Sequence, residues 1–212
     1  MLSDQPVAGK CSKFKNCPIT LSGGDDFMFI KAEYFKNTSC DEKDLEKIYR
    51  IRKDVFFDRL GWDVLCSGGL EFDAFDNADC DYLVVRHRDT LICTCRLIPT
   101  TRPTMLSEVF PGLLRGEDYL PDPAVIEISR LAATACPSLR GGVMSLILQE
   151  LRRYASDHRV SAFVFVTTTA IERLLRRHGV RLQRFGDGRT TLVGGVRSVA
   201  LRLHPADIPQ VN

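Results

Sequence analysis

Three features of the amino-acid sequence predict an α/β fold, a three-layer sandwich with a central mixed sheet between helices. Strand-like and helical runs alternate along most of the chain. Two apolar runs, residues 81–86 and 90–98, flank Asp89 in the manner of a hairpin. An amphipathic stretch, residues 142–158, leads into a short and wholly apolar run, residues 163–166.

Taken in order, residues 1–25 are rich in Lys, Ser and Gly with little periodicity, and are expected to form a poorly ordered extension ahead of a single domain over 26–212. Residues 27–34 read as a first strand. Ser39-x-x-Glu42 has the form of a capping box, and beyond it Leu45, Ile48, Tyr49, Val55 and Phe56 repeat at helical spacing, which puts Arg52 and Phe56 one turn apart on one face. The period is lost over residues 57–80, a Gly-containing loop that carries Trp62 and an acidic run; its length favours a functional lid. The hairpin follows, with Arg96 near the end of its second strand. Residues 99–123 are irregular apart from a short helical piece around 105–114, and 124–134 return to strand, with Glu127 and Arg130 on opposite faces unless a bulge intervenes. Val143, Leu146, Ile147, Leu151 and Tyr154 form the apolar stripe of the helix at 142–158, and residues 169–178 form another helix, stopped by Gly179. The tail, 180–203, reads as strands around the Asp187-Gly188 and Gly194-Gly195 turns.

At 212 residues, with 44% hydrophobic and 26% charged residues, the chain can bury a core of its own and fits one domain. Its net charge of +2 hides an asymmetry: residues 41–81 hold 12 acids against 6 bases, and residues 150–190 hold 9 Arg against 4 acids. Two partners of opposite charge are therefore expected. The start lacks the charged and apolar regions of a signal peptide, and no apolar run approaches the length of a membrane span, so a cytoplasmic location, reduced thiols and no membrane partner are expected. Cys11, Cys17, Cys40, Cys66, Cys80, Cys93, Cys95 and Cys136 include no C-x-x-C pair and no His at ligand spacing. The acidic run lacks the central Gly and terminal Glu of a calcium loop, and no metal site is expected. Arg173, Arg176 and Arg177 line one helix face, but no nucleic-acid-binding motif or interleaved aromatic accompanies them, so no nucleic-acid partner is expected.

The chemistry-bearing residues gather in strings: Arg52-x-x-x-Phe56, Leu60-Gly61-Trp62, Glu71-Phe72-Asp73-Ala74-Phe75-Asp76, Cys95-Arg96-Leu97-Ile98-Pro99-Thr100, and Glu127-Ile128-Ser129-Arg130. Taken singly, the arginines and carboxylates read more readily as a structural ion-pair network, and Phe56 as core. Together the strings resemble the signature of the acyl-homoserine lactone synthases, over residues 28–203. The resemblance implies a quorum-sensing enzyme that moves an acyl chain from acyl carrier protein to the amine of S-adenosylmethionine, then closes the lactone and releases methylthioadenosine. S-adenosylmethionine is then a substrate, and no cofactor is implied. The resemblance also implies the acetyltransferase superfold. Acetyltransferases hold coenzyme A at a Gln/Arg-x-x-Gly-x-Gly/Ala loop opening a helix. Leu139-Arg140-Gly141-Gly142-Val143-Met144 lacks the final small residue, and an N-acyltransferase using an acyl-coenzyme A donor stands as the alternative.

S-adenosylmethionine brings a sulfonium, an ammonium and a carboxylate, which call for a slightly acidic cleft with a few cations. The resemblance implies Arg52, Phe56, Trp62, Asp73, Asp76 and Arg130 as substrate-binding residues and Glu71, Glu127, Arg96 and Ser129 as the catalytic set. Aromatic faces suit a sulfonium. The ammonium must lose a proton before its nitrogen attacks the thioester, and Glu71 and Glu127 are both candidate bases. An acidic carrier protein is expected to dock on Arg173, Arg176 and Arg177, with Arg152 and Arg153 as the alternative. In family members that prefer 3-oxo chains, a Thr in the strand before the last helix bonds the keto oxygen. Phe165 stands at that position, so an acyl group without a 3-oxo substituent is expected, its pocket narrowed by Phe165 and by Phe163 on the same strand face.

Overall fold

Burial along the hairpin dictates the layering. In β5 (Thr90–Pro99) every residue from Leu91 to Ile98 is buried, so both faces of this strand must be covered. The computed structural model, which describes residues 30–117, 119, 121–134 and 140–210, supplies both covers. The extension 1–25, Cys11, Cys17, Cys136 and the start of the loop at 139–144 lie outside the described residues. On one face, Val143, Ile147, Leu148, Leu151 and Tyr154 of α3 (Arg140–His158) pack on Leu83, Val85, Cys93, Cys95 and Leu97. On the other, Ile48, Ile51, Val55 and Phe56 pack on Tyr82, Val84, Leu91 and Ile98. Each fully buried aliphatic side chain contributes about 1.5–3 kcal/mol.

The strands form one sheet in the order β1 (Ile30–Lys36), β4 (Asp81–His87), β5, β6 (Val125–Ala133), β7 (Ala162–Thr168), β10 (Val196–Leu203) and β8 (Gln183–Arg184), with β9 (Thr191–Val193) also on β10. All pairs are antiparallel except β6 and β7, which are parallel and joined by α3 as a crossover. This is the expected three-layer sandwich with a mixed sheet. Among the described residues no helix is long and apolar enough to cross a membrane.

Local chemistry differs from expectation in two places that matter for the site. The first helix, α1 (Glu42–Arg52), is capped by Asp41, whose carboxylate accepts from Lys43 N, and not by a Ser39 box. A 3-10 turn over Asn37–Ser39 precedes it, within which the Ser39 hydroxyl donates to the Lys36 carbonyl, so the helix begins later than the box requires. Beyond Arg52 the chain does not fall into a loop at Phe57. It continues as a π-helix over Lys53–Arg59, closed by Leu60 N–H to the Val55 carbonyl and ended at Gly61, φ +63°. A search for 3.6-residue period cannot register that wider turn. The rest of the expected lid is tied down as a hairpin of β2 (Cys66–Ser67) and β3 (Leu70–Glu71) and a run of turns.

A bulge then shapes the sheet. Ala132 sits opposite Thr94, yet Ser129 sits opposite Arg96, so β6 carries one residue more than β5 between those points. Arg130 absorbs it in the left-handed region, φ +54°. β6 and β7 pair only from Val125 and Ala162 to Glu127 and Val164, and beyond that they part. At the far edge α4 (Thr169–Arg177) is capped by Thr168 and ends at Gly179, φ +78°.

Gly186 (φ +54°) abuts the Leu114 and Arg115 carbonyls, both 2.9 Å from where its Cβ would stand, whereas Gly194 has the same φ in open space. Gly194→Ala is expected to lower the unfolding free energy by about 1–2 kcal/mol, the strain of the left-handed backbone alone. Gly186→Ala should lose about 3 kcal/mol or more, because a clash is added to the strain. Urea unfolding of the two variants measures the difference, and equal losses would show that the Arg115 contact gives way freely.

Candidate active site

The three signature arginines come from three different elements and meet over the turn at residues 71–76. Arg52, last in α1, donates Nε to Glu71 Oε2 at 2.5 Å and both Nη atoms to Asp76, at 2.7 and 2.8 Å. Arg96, from β5, donates Nη1 to Asp73 at 2.5 Å, lies 2.9 Å from Asp76, and donates Nε to the Ser129 hydroxyl at 3.1 Å. Arg130, from the bulge, donates Nε to Glu71 Oε1 at 3.0 Å and pairs with Asp73 Oδ2 at 2.8 Å. Three guanidiniums and three carboxylates alternate, so the charge cancels and every carboxylate bridges two arginines. The turn is braced from within, by Asp73 N–H to Asp76 and Phe75 N–H to Asp73. The Tyr82 hydroxyl also donates to Asp76, at 2.7 Å.

Burial sets the electrostatics. It would raise the Asp76 carboxyl, but the bidentate Arg52 bonds and the Arg52 and Arg96 charges prevail, and Asp76 is held well below the ordinary carboxylate range. Burial lifts the Tyr82 phenol, reinforced by the Asp76 charge, so it stays a hydrogen-bond donor. Arg52 and Arg96 are raised by their carboxylates against the cost of burial.

The aromatic residues sit beside this frame. Phe56 and Trp62 stack with centroids 5.2 Å apart at 14°, and the Arg130 guanidinium lies 5.6 Å from the Phe56 centroid. Trp62 is held by its own N–H to the Phe56 carbonyl at 2.8 Å, a bond that the end of the π-helix makes possible. Arg52 and Phe56 share a face as expected, though across the junction of α1 with the π-helix.

Glu127 stands apart from the arginines. Its Oε1 accepts from Met105 N at 3.0 Å and its Oε2 from Leu106 N at 2.7 Å, at the start of α2 (Met105–Glu108). Burial raises its carboxyl against those two N–H bonds. The bulge does bring Glu127 and Arg130 to one side of the sheet, but through a third residue, since Arg130 Nη1 lies 3.1 Å from Met105 Sδ. Tyr82 and Met105 escape sequence reasoning: one lies in an ordinary strand pattern and the other in a short helical piece, and neither carries a charge to draw notice.

Where β6 and β7 part, a cavity of about 70 Å³ opens, lined by Cys95, Leu131, Met144, Leu148, Phe165 and Leu175 among other apolar groups, with Ser129, Arg130 and Thr167 as polar members. Phe165 lines it. Phe163 does not, because it pairs with Ile126 where the strands are still joined, and it is sealed in the core. The basic residues are likewise divided. Arg173 and Arg177 are exposed on α4, while Arg176 is held by Glu172 and the Leu182 carbonyl. Arg152 donates to the Ile208 carbonyl at 2.5 Å, and Arg153, its side chain 56% exposed, pairs with Glu150 over the Tyr34 ring.

Because Asp76 is depressed in the folded chain, it contributes stability above the ordinary carboxylate pKa of about 4, and that stability is lost as pH falls below it. The unfolding free energy is expected to be nearly level from about pH 7 to 5 and to decline steeply below about pH 4. Urea titrations across that range check it, and a flat profile down to about pH 3 would deny the network any ionisation-linked role.

The family model described as autoinducer synthase matches residues 36–209. The acyl-homoserine-lactone synthase of Aeromonas hydrophila is 35% identical over 163 residues, covering 74% of this chain and 79% of that one. The crystal structure of the AHL synthase LasI superposes with a TM-score of 0.77 at 28% identity, over 83% of this chain and 90% of that one. A coenzyme A-dependent acyl-homoserine lactone synthase, BjaI, solved with S-adenosylmethionine and isopentyl-coenzyme A, shares the fold, with a TM-score of 0.74 at 24% identity over 85% of this chain and 84% of that one. A family match over most of the chain, joined by a relative of that identity and coverage, establishes that this chain belongs to the autoinducer synthase family and is an acyltransferase of the acyl-homoserine-lactone synthase class.

Proposed function

We propose that the enzyme transfers an acyl chain from acyl carrier protein to the amine of S-adenosylmethionine and then closes the lactone, releasing methylthioadenosine. The observation that carries this reading is the junction at Ser129 and Arg130, residues that belong both to the buried ion network and to the lining of the apolar cavity. A polar amino-acid end and an acyl chain can therefore be held with their reacting atoms adjacent.

Within the network, Arg130 and Asp73 are the least buried members, with side chains 12% and 14% exposed. Opposite in sign, they complement the carboxylate and ammonium of the substrate, while the stacked Phe56 and Trp62 offer a face to the sulfonium and adenosyl group. Glu71 has both oxygens committed to arginines and Glu127 both to backbone N–H groups, so either candidate base would have to surrender a bond to take a proton. Both oxygens of Asp73 also meet arginines, but its side chain is the most exposed of the network carboxylates, which makes it the more accessible acceptor, directly or through one water. The Ser129 oxygen accepts from Arg96, which leaves its own O–H to donate to the thioester carbonyl as negative charge develops there. The C–N bond forms, the C–S bond breaks, and the carrier-protein sulfur leaves as a thiol with a proton from the attacking nitrogen. Lactone closure then forms a bond from the methionyl carboxylate oxygen to the γ-carbon as the carbon–sulfur bond breaks, and a neutral thioether departs. Folding the substrate for that attack is the main contribution of the site.

Purified enzyme with S-adenosylmethionine and either octanoyl carrier protein or octanoyl-coenzyme A, followed by mass detection of lactone and methylthioadenosine, tests the reading. Turnover is expected with the carrier protein; preference for coenzyme A would move the donor to the alternative. Reversing Arg173 and Arg177 to Glu should raise the KM for carrier protein about fivefold or more, sparing that for S-adenosylmethionine, and the effect should shrink as salt rises. An unchanged KM would put the dock elsewhere.

Phe165 lines the cavity and has no hydrogen to donate, and an unpaired buried keto oxygen costs about 1–3 kcal/mol. Octanoyl carrier protein is therefore expected to outcompete its 3-oxo counterpart about ten- to hundredfold, and Phe165→Thr to narrow that margin. Competition assays with the products separated by mass check both; equal yields from the unaltered enzyme would sink the assignment.

A further inference from the structure

The short helix α2 presents orphan N–H groups that need acceptors. The Thr104 hydroxyl accepts one, from Ser107 N at 3.2 Å, the Ser107 hydroxyl accepts from Thr104 N, and the Glu127 carboxylate accepts the remaining two, from Met105 and Leu106. Leu106 is fully buried below, in a cluster with Leu113, Val164, Phe185 and Ala200. Fixed from both sides, the turn carries the Met105 thioether to within 3.1 Å of Arg130 Nη1. Arg130 thus has three kinds of partner: Glu71 on Nε, Asp73 on Nη2 and Met105 sulfur on Nη1. The sulfur is by far the weakest acceptor of the three, and the one surrendered at least cost to an arriving carboxylate.

We infer that Glu127 is a positioning residue: it holds the Met105 turn so that the thioether seats the Arg130 guanidinium and keeps its third donor edge in place for the substrate carboxylate. The inference rests on the assignment of Arg130 to the amino-acid end of the substrate. Gln at position 127 can accept at only one oxygen and turns an NH2 toward a backbone N–H, which frees the turn. Met105→Leu keeps the volume and removes the acceptor.

The test is steady-state kinetics with S-adenosylmethionine varied, calorimetric binding of S-adenosylmethionine without acyl donor, and thermal melts, on wild-type enzyme, Glu127→Gln, Met105→Leu and the double variant. Glu127→Gln is expected to raise both KM and Kd for S-adenosylmethionine about tenfold. The acid limb of its kcat/KM profile should stay where it is in the wild type. Met105→Leu should shift KM and Kd in the same direction, and the double variant should lose less than the product of the two, because both act through Arg130. A vanished acid limb, or a fall in kcat at constant KM, would instead make Glu127 the proton acceptor. A lowered Tm with unchanged Kd, or fully multiplicative losses, would reduce it to a structural residue. Wild-type enzyme that makes lactone while the variants keep their affinity overturns this inference alone, whereas wild-type enzyme that binds no S-adenosylmethionine overturns the site reading as well.

Discussion

The bidentate contact of Arg52 with Asp76 is the constraint on which much of this molecule depends. It joins the end of α1 to a turn that would otherwise have no reason to fold against the sheet, and it lies under a side chain only 1% exposed at either partner. Removing two charges from water is costly, and a pair alone barely recovers that cost. Here the recovery comes from repetition: Asp76 also meets Arg96 and Tyr82, Glu71 meets Arg52 and Arg130, and Asp73 meets Arg96 and Arg130. The loop therefore has few alternative arrangements that leave no buried charge unpaired. A hydrophobic substitute would give stability without that specification.

The bulge at Arg130 does complementary work. One extra residue in β6 turns its side chain toward the network and also accompanies the parting of β6 from β7, so the polar and apolar halves of the site share one backbone irregularity. A non-glycine residue in the left-handed region is strained, and strain of about 1–3 kcal/mol persists only where its surroundings over-determine it. Four separate contacts on one guanidinium, from Glu71, Asp73, Met105 and the Phe56 ring, are such surroundings.

Much of this could be read from sequence, and the limits were physical. The alternation of elements reveals the three-layer sandwich, because buried strands and amphipathic helices print their periods directly. The spacing of Arg52, Arg96 and Arg130 with the 71–76 acids announced a network. Its partners were not readable, since which carboxylate meets which arginine depends on χ angles that no spacing encodes. The resemblance implies Glu127 as a catalytic residue and candidate base, whereas its acceptance of backbone N–H groups depends on where a distant turn lands. Phe163 and Phe165 are equivalent by alternation; the point at which two strands part separates them. Arg176 reads as a free cation of the helix face, whereas Glu172, one turn back, holds it.

The π-helix at Lys53–Arg59 has a consequence in phase. An α-helix advances about 100° per residue, and a wider turn accommodates an additional residue without passing that rotation on to the downstream chain. Relaxing this segment into regular α-helix with its length unchanged would pass that rotation on and turn the exit of the chain by roughly 100°. Arg52, upstream, would keep its carboxylates, but Trp62 would leave the Phe56 ring. The segment thus works as a phase adjuster between a charged half and an aromatic half of the candidate site, absorbing one residue of the chain so that both halves keep their facing.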